Sequence, residues 1–170
     1  GTVNLDALLL RFDSVRWNLG GPAAFSWSPR GLEVRDFRLI RPGVGGMRVE
    51  ADGFIPLEGE GEFVLDVEGL NLDRVARVGE MEMPLEGVVR GRVRFTGSAE
   101  SPIMDGTFSG EELRFGSLTF AAAESSFRYG DLSLAGDVRL LEGGREVLRV
   151  SGSVPADLRF QSGFPSLPDA

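Results

Sequence analysis

Chemistry needs a group that can accept a proton, attack a substrate or hold a metal, and this chain offers few. Among its 170 residues there is no His and no Cys. That removes the near-neutral acid–base group, the thiol nucleophile, disulfides and thiolate metal sites together. Carboxylates remain. Glu111-Glu112, Glu124, Asp105 and Asp131 could supply the two carboxyl groups of a glycoside hydrolase. Adjacent strand residues face opposite sides, so Glu111 and Glu112 converge only at a bulge, and wet-face charges are the favoured reading. Glu58-Gly59-Glu60-Gly61-Glu62 has oxygen ligands but lacks the Asp-rich spacing of a calcium loop, and reads as a solvated turn. Gly43 to Gly46 has the glycines of a phosphate loop, but no Gly-Lys-Ser/Thr follows and no helix opens after it. Arg90, Arg92 and Arg94 could meet lipid headgroups or an acidic partner. The competing reading is a solvated row matched by neighbouring carboxylates. Trp17 reads as a core aromatic, and Trp27 as core or rim. No catalytic residue, metal site or cofactor is expected, and the chain does not read as an enzyme.

Charge narrows the partners. Eighteen basic residues, all Arg, stand against 26 acidic ones, a net charge of -8 and a pI near 4.7. A nucleic-acid backbone would be repelled, so no nucleic-acid partner is expected. The absence of Lys fits codon bias, and the absence of Cys fits an oxidising compartment. No apolar run reaches the roughly 18 residues of a membrane helix. The chain begins in mid-pattern and ends in Pro-Ser-Leu-Pro-Asp-Ala, as a fragment of a larger protein would.

The elements that must position any site are strands. From Leu85 to Gly97 the odd positions are Leu, Gly, Val, Gly, Val, Phe and Gly, and the even ones are polar except Val88. This period of two marks a strand with one wet and one dry face. At about 3.3 Å per residue it runs roughly 40 Å. Met104 to Gly110 returns with the same alternation. The phase slips by one at Glu111-Glu112, as at a β-bulge, before Leu113 and Phe115 resume the dry side. Gly97 to Pro102 joins the two strands.

Elsewhere, Val3 to Phe12 reads as a first strand interrupted in pattern at Leu9, and Val15 to Leu19 continues it. Ala24 to Ser28, Leu32 to Ile40 (with a phase shift between Val34 and Phe37), Met47 to Ile55 and Phe63 to Val67 follow. One short helix is expected at 71–78, capped by Asn71 and stopped by Gly79. Leu118 to Tyr129, Leu132 to Leu140 and Leu148 to Val154 complete the strands, with a hairpin turn at Glu142-Gly143-Gly144-Arg145. Gly53-Phe54-Ile55-Pro56 and Gly152-Ser153-Val154-Pro155 form a weak repeat. It divides the chain into a first β module at 1–61, a second at 62–158 on the same sheet, and a frayed tail at 159–170. Glycines recur on the dry face at 53, 87, 91, 106, 110, 136 and 152. They suggest curvature, or a crease where side chains would collide; the plainer reading is kinks in a sandwich.

Several pieces resemble the repeats of the TamB family, in the AsmA-like group of envelope proteins of Gram-negative bacteria. They are Trp17-Asn18-Leu19-Gly20-Gly21-Pro22-Ala23, the Gly-x-(Ile/Val)-Pro strand ends, Leu70-Asn71-Leu72 and Leu85-Glu86-Gly87. Gly97 with Pro102 and Gly106, followed by Leu113-Arg114-Phe115-Gly116, completes the set. The likeness covers nearly the whole chain, and it rests on order and spacing because each motif is degenerate. The resemblance implies an all-β fold: a long, mostly antiparallel sheet curled into an open trough, a β-taco, with an apolar interior. It implies the periplasm, with an inner-membrane anchor and an outer-membrane β-barrel partner (TamA-like or BamA-like) engaged by parts outside this segment. The roles it implies are phospholipid transport and outer-membrane protein assembly or secretion.

Elementary energetics favours the first role. A chain of about sixteen carbons costs roughly 13 kcal/mol to expose to water, at about 0.8 kcal/mol per CH₂. A dry trough removes most of that barrier without chemistry. In this reading phospholipid acyl chains lie against Val89, Val93 and Phe95 of the central strand and Met104, Phe108, Leu113 and Phe115 of its return. Leu118, Phe120, Leu132, Leu134, Val138, Leu140, Leu148, Val150 and Val154 extend the lining. The rival is an assembly scaffold that pairs an exposed edge with unfolded outer-membrane protein. A closed sandwich with enzyme or adhesin function is a third reading.

Overall fold

The computed structural model describes residues 1–12, 15–43, 46–73 and 85–159. It is all β. The strands are β1 (Thr2–Leu5), β2 (Leu9–Phe12), β3 (Val15–Leu19), β4 (Ala23–Ser28), β5 (Gly31–Arg41), β6 (Met47–Pro56), β7 (Gly61–Asn71), β8 (Leu85–Gly97), β9 (Pro102–Phe115), β10 (Leu118–Gly130), β11 (Ser133–Glu142) and β12 (Arg145–Pro155). All belong to one antiparallel sheet, ordered β1-β4-β5-β6-β7-β8-β9-β10-β11-β12, with β2 on β3 and β3 on the far end of β5. From β4 on, chain order is spatial order. β1 and β12 do not pair, so the sheet is open and is not a barrel.

Both phase slips read from the sequence are bulges. Between β5 and β6 the register shifts at Val34/Phe37, where Asp36 has φ 54°. Between β8 and β9 it shifts opposite Gly87, where Glu112 has φ 52°. Each extra residue turns the following side chains back to the dry side. Two more shifts, at Val67/Leu70 and Leu140/Leu141, were not anticipated. The Gly143-Gly144 turn has φ 56° and 76°, the left-handed pair a two-residue hairpin needs.

Two expectations need correction. Val3 to Phe12 is not one strand: β1 pairs with β4 while β2 pairs with β3. The break falls where the alternation failed, and there Leu8 O accepts from Leu19 N at 3.0 Å. Leu132 does not begin a strand. It shares a two-residue turn with Asp131, both at positive φ (57° and 51°), and β11 starts one residue later. Of the helix expected at 71–78 only the start is described. Asn71 closes β7, and its Oδ1 accepts from Asp73 N at 3.1 Å; positions 74–78 lie outside the described residues, as do 160–170 of the tail.

The sheet forms one layer. Among the described residues each strand touches its neighbours in the sheet, β6 also approaches β8 across β7, and no second sheet packs on either face. The buried cluster of Ile55, Phe95 and Ala99, backed by Leu57, Phe63 and Met104, lies at one end of the strands. The turn after β8 makes it. Ala99 N donates to Pro56 O at 2.8 Å, which carries the turn across the start of β7 to reach β6, and Ser98 Oγ accepts from Ser101 N at 3.1 Å. Past β12, residues 156–159 return to the same end of β10, where Leu158 N donates to Tyr129 Oη at 3.0 Å.

Candidate functional site, the apolar face

Register decides which residues share a face, since direct cross-strand partners point the same way. One row reads Val3, Phe25, Val34, Gly53, Phe63, Phe95, Met104, Tyr129, Leu134 and Val154, crossing from β1 to β12. At about 4.8 Å per strand it spans roughly 43 Å. The next row carries Phe37, Ala51, Leu65, Val93, Gly106, Phe127, Gly136 and Gly152. Beyond it come Leu39, Val49, Val67, Gly91, Phe108, Ser125, Val138 and Val150. Val89, Gly110, Ala123, Leu140 and Leu148 form a fourth row. Past the bulge, Leu113 faces Phe120, and Leu85, Phe115 and Leu118 close the face.

The register therefore assembles every expected lining residue except Leu132 on one face. Their cover is unequal. Phe95 and Leu113 are buried, whereas Val138, Leu148, Val150 and Val154 are 40%, 48%, 57% and 57% exposed. Cover thins toward β12, the last strand of the sheet among the described residues, where every residue of the strand is exposed. The sequence reading missed the cover itself. Ala99 is fully buried and Tyr129 is 1% exposed, and nothing in the local pattern marks the turn or the 156–159 segment as reaching the sheet.

The dry-face glycines divide into two kinds. A Cβ on Gly106 would fall within the Phe127 ring, and one on Gly91 within the Phe108 ring. Each ring lies over the glycine of the neighbouring strand, and the two rings stack at 6.1 Å and 15°. At these two glycines side chains would collide, as one reading of the dry-face glycines expects. Gly152 meets nothing within 4 Å. On the first half of the sheet Phe25 and Phe37 meet edge to face at 5.5 Å.

The opposite face is a ladder of matched charges. Arg92 grips Asp66 at 2.7 and 2.8 Å, Arg94 reaches Glu62 at 2.9 Å, and Arg90 meets Ser109 at 2.8 Å and Glu111 at 3.4 Å. The hydrogen bonds to Asp66, reinforced by its charge, raise the Arg92 pKa above the ordinary guanidinium value; Glu62 does the same for Arg94. Arg38 with Glu50, Arg48 with Glu68, and Arg139 with Glu124 repeat the device. The candidate catalytic carboxylates are drawn to guanidiniums and not to one another: Glu111 to Arg90, Glu124 to Arg139, and Asp105 to Arg128 at 3.6 Å. Asp131 stands in its turn and Glu112 in its bulge. Hollows of about 620 and 550 Å³ lie among these charged side chains. A third, of about 910 Å³, lies by Trp27, Phe54 and Glu58. Trp17 and Trp27 are both half-buried.

No protein-family model, curated protein or solved structure matches the chain.

Proposed function

We propose that this chain is a segment of a periplasmic lipid conduit of the TamB kind, in which the sheet bends into an open trough lined by its apolar face. Acyl chains travel along the rows that cross the strands, between the inner and outer membranes. The inner-membrane anchor and the outer-membrane β-barrel partner belong to other parts of such a protein. The observation that carries this reading is the uncovered apolar stretch of β11 and β12, where Val138, Leu148, Val150 and Val154 are largely exposed, with no second layer upon it among the described residues. A contiguous apolar surface of this kind is a binding site or an aggregation hazard, and a guest of hydrocarbon satisfies it. The matched charges opposite keep the other face wet.

Photo-cross-linking from position 108, in the parent protein in its membrane-bounded compartment, tests the proposal. The expected adduct is phospholipid. Adducts to nascent protein, or no adduct, overturn the conduit.

One observation favours a second reading, the assembly scaffold. Among the described residues β12 is the last strand of the sheet, and its outer side offers an eleven-residue row of main-chain donors and acceptors. An unfolded outer-membrane strand could add there. A photoreactive group at Ser151 then captures protein, whereas the conduit leaves that wet-face position without a lipid adduct.

A further inference from the structure

We propose that residues 156–159 are a displaceable strap occupying an acyl-chain subsite around Tyr129, which a lipid must lift to reach the covered end of the apolar face. This rests on the conduit reading. Tyr129 is 1% exposed, although its row neighbours Met104 and Leu134 are only half-buried and Val154 is 57% exposed. Strand side chains stand roughly perpendicular to the sheet. A main chain that donates to the tip of Tyr129 therefore stands off the sheet on the apolar side, where a guest would lie. Two main-chain donors tie it down: Ala156 N to Leu132 O at 2.9 Å and Leu158 N to Tyr129 Oη at 3.0 Å. Its apolar side chain gains little by lying there, since Leu158 remains 43% exposed. Within the strap Arg159 pairs with Asp157 at 2.7 Å, and its charge also acts on Tyr129, a further polar tie to the sheet. A segment held mainly by polar contacts over an apolar row opens at low cost, and a hydrocarbon chain covers the same row with more apolar area.

The test compares binding of a dansyl-labelled fatty acid by the 170-residue chain and by its Leu158→Pro variant, which deletes the donor to Tyr129 and leaves the sheet untouched. Loss of one hydrogen bond to the strap raises the binding-competent fraction, and the dissociation constant should fall about fivefold. Equal affinity in both chains overturns the strap and leaves the conduit standing. Absence of binding in both overturns the conduit and the strap with it. Hydrogen exchange of the unaltered chain gives a measurement free of any folding defect. Saturating fatty acid should abolish protection at the Ala156 and Leu158 amides while the β10 amides stay protected. Retained protection at 156 and 158 with ligand bound overturns the proposal.

Discussion

Gly106 and Gly152 are the same residue type on the same row, and their surroundings make opposite predictions for them. Gly106 lies beneath the Phe127 ring, so Gly106→Ala forces the ring out of its place on the strand. Overpacking of this kind costs about 1–3 kcal/mol. Gly152 has open space where its Cβ would stand, so Gly152→Ala removes only the conformational freedom of glycine and should add about 0.5–1 kcal/mol. Urea denaturation of both variants checks the contrast, and Phe127→Leu should recover part of the Gly106→Ala loss in a double-mutant cycle. Equal effects at the two positions would show that the Phe127 ring does not lie over Gly106. That glycines recur on the dry face was legible in the sequence. Which of them carry a ring was not, because the ring comes from the neighbouring strand and only register brings it there.

At the scale of the element, alternation of period two located β5, β6 and β8 to β11 to within two residues, whereas β7 runs past the expected 63–67 to Gly61–Asn71 and β12 past 148–154 to Arg145–Pro155; it also located two bulges, because polarity resumed on the other parity after each slip. Asp36 and Glu112 show why this works. One residue at positive φ re-aims every side chain after it, and burial demands that the apolar set face one way. The Val67/Leu70 shift escaped because Glu68-Gly69 falls at the fading end of β7, where too few alternations remain to reveal a change of parity. Leu132 misled for a related reason. Its apolar character fits the alternation of β11, but a two-residue turn between strands of this register claims it. β12 carries a prediction of its own. Its amides facing β11 are paired and the alternate ones face outward. Hydrogen exchange by NMR should therefore alternate along β12, slow then fast. Uniform protection along β12 in the isolated chain would mean that another strand already covers the edge.

For the whole molecule the decisive quantity is the single layer. Val93→Arg places a charge on the second row, between Leu65 and Gly106. In the conduit reading it should abolish lipid transfer between donor and acceptor vesicles while the far-ultraviolet circular dichroism of the strands survives, because no second layer packs against that position. Unfolding of the variant would mean that Val93 belongs to a closed core. The sequence by itself determined that the chain is built mainly of strands, where most of its turns fall, and that one side of most strands is greasy and the other charged, since these follow from local alternation and turn chemistry. Only the tertiary structure decided that the greasy residues align in rows across the strands, that Arg and carboxylate side chains meet in pairs across strands, and that Ala99 and residues 156–159 cover one end while the β12 side stays bare. Those outcomes depend on which strands become neighbours and in what register, a long-range choice that periodicity within a strand does not encode.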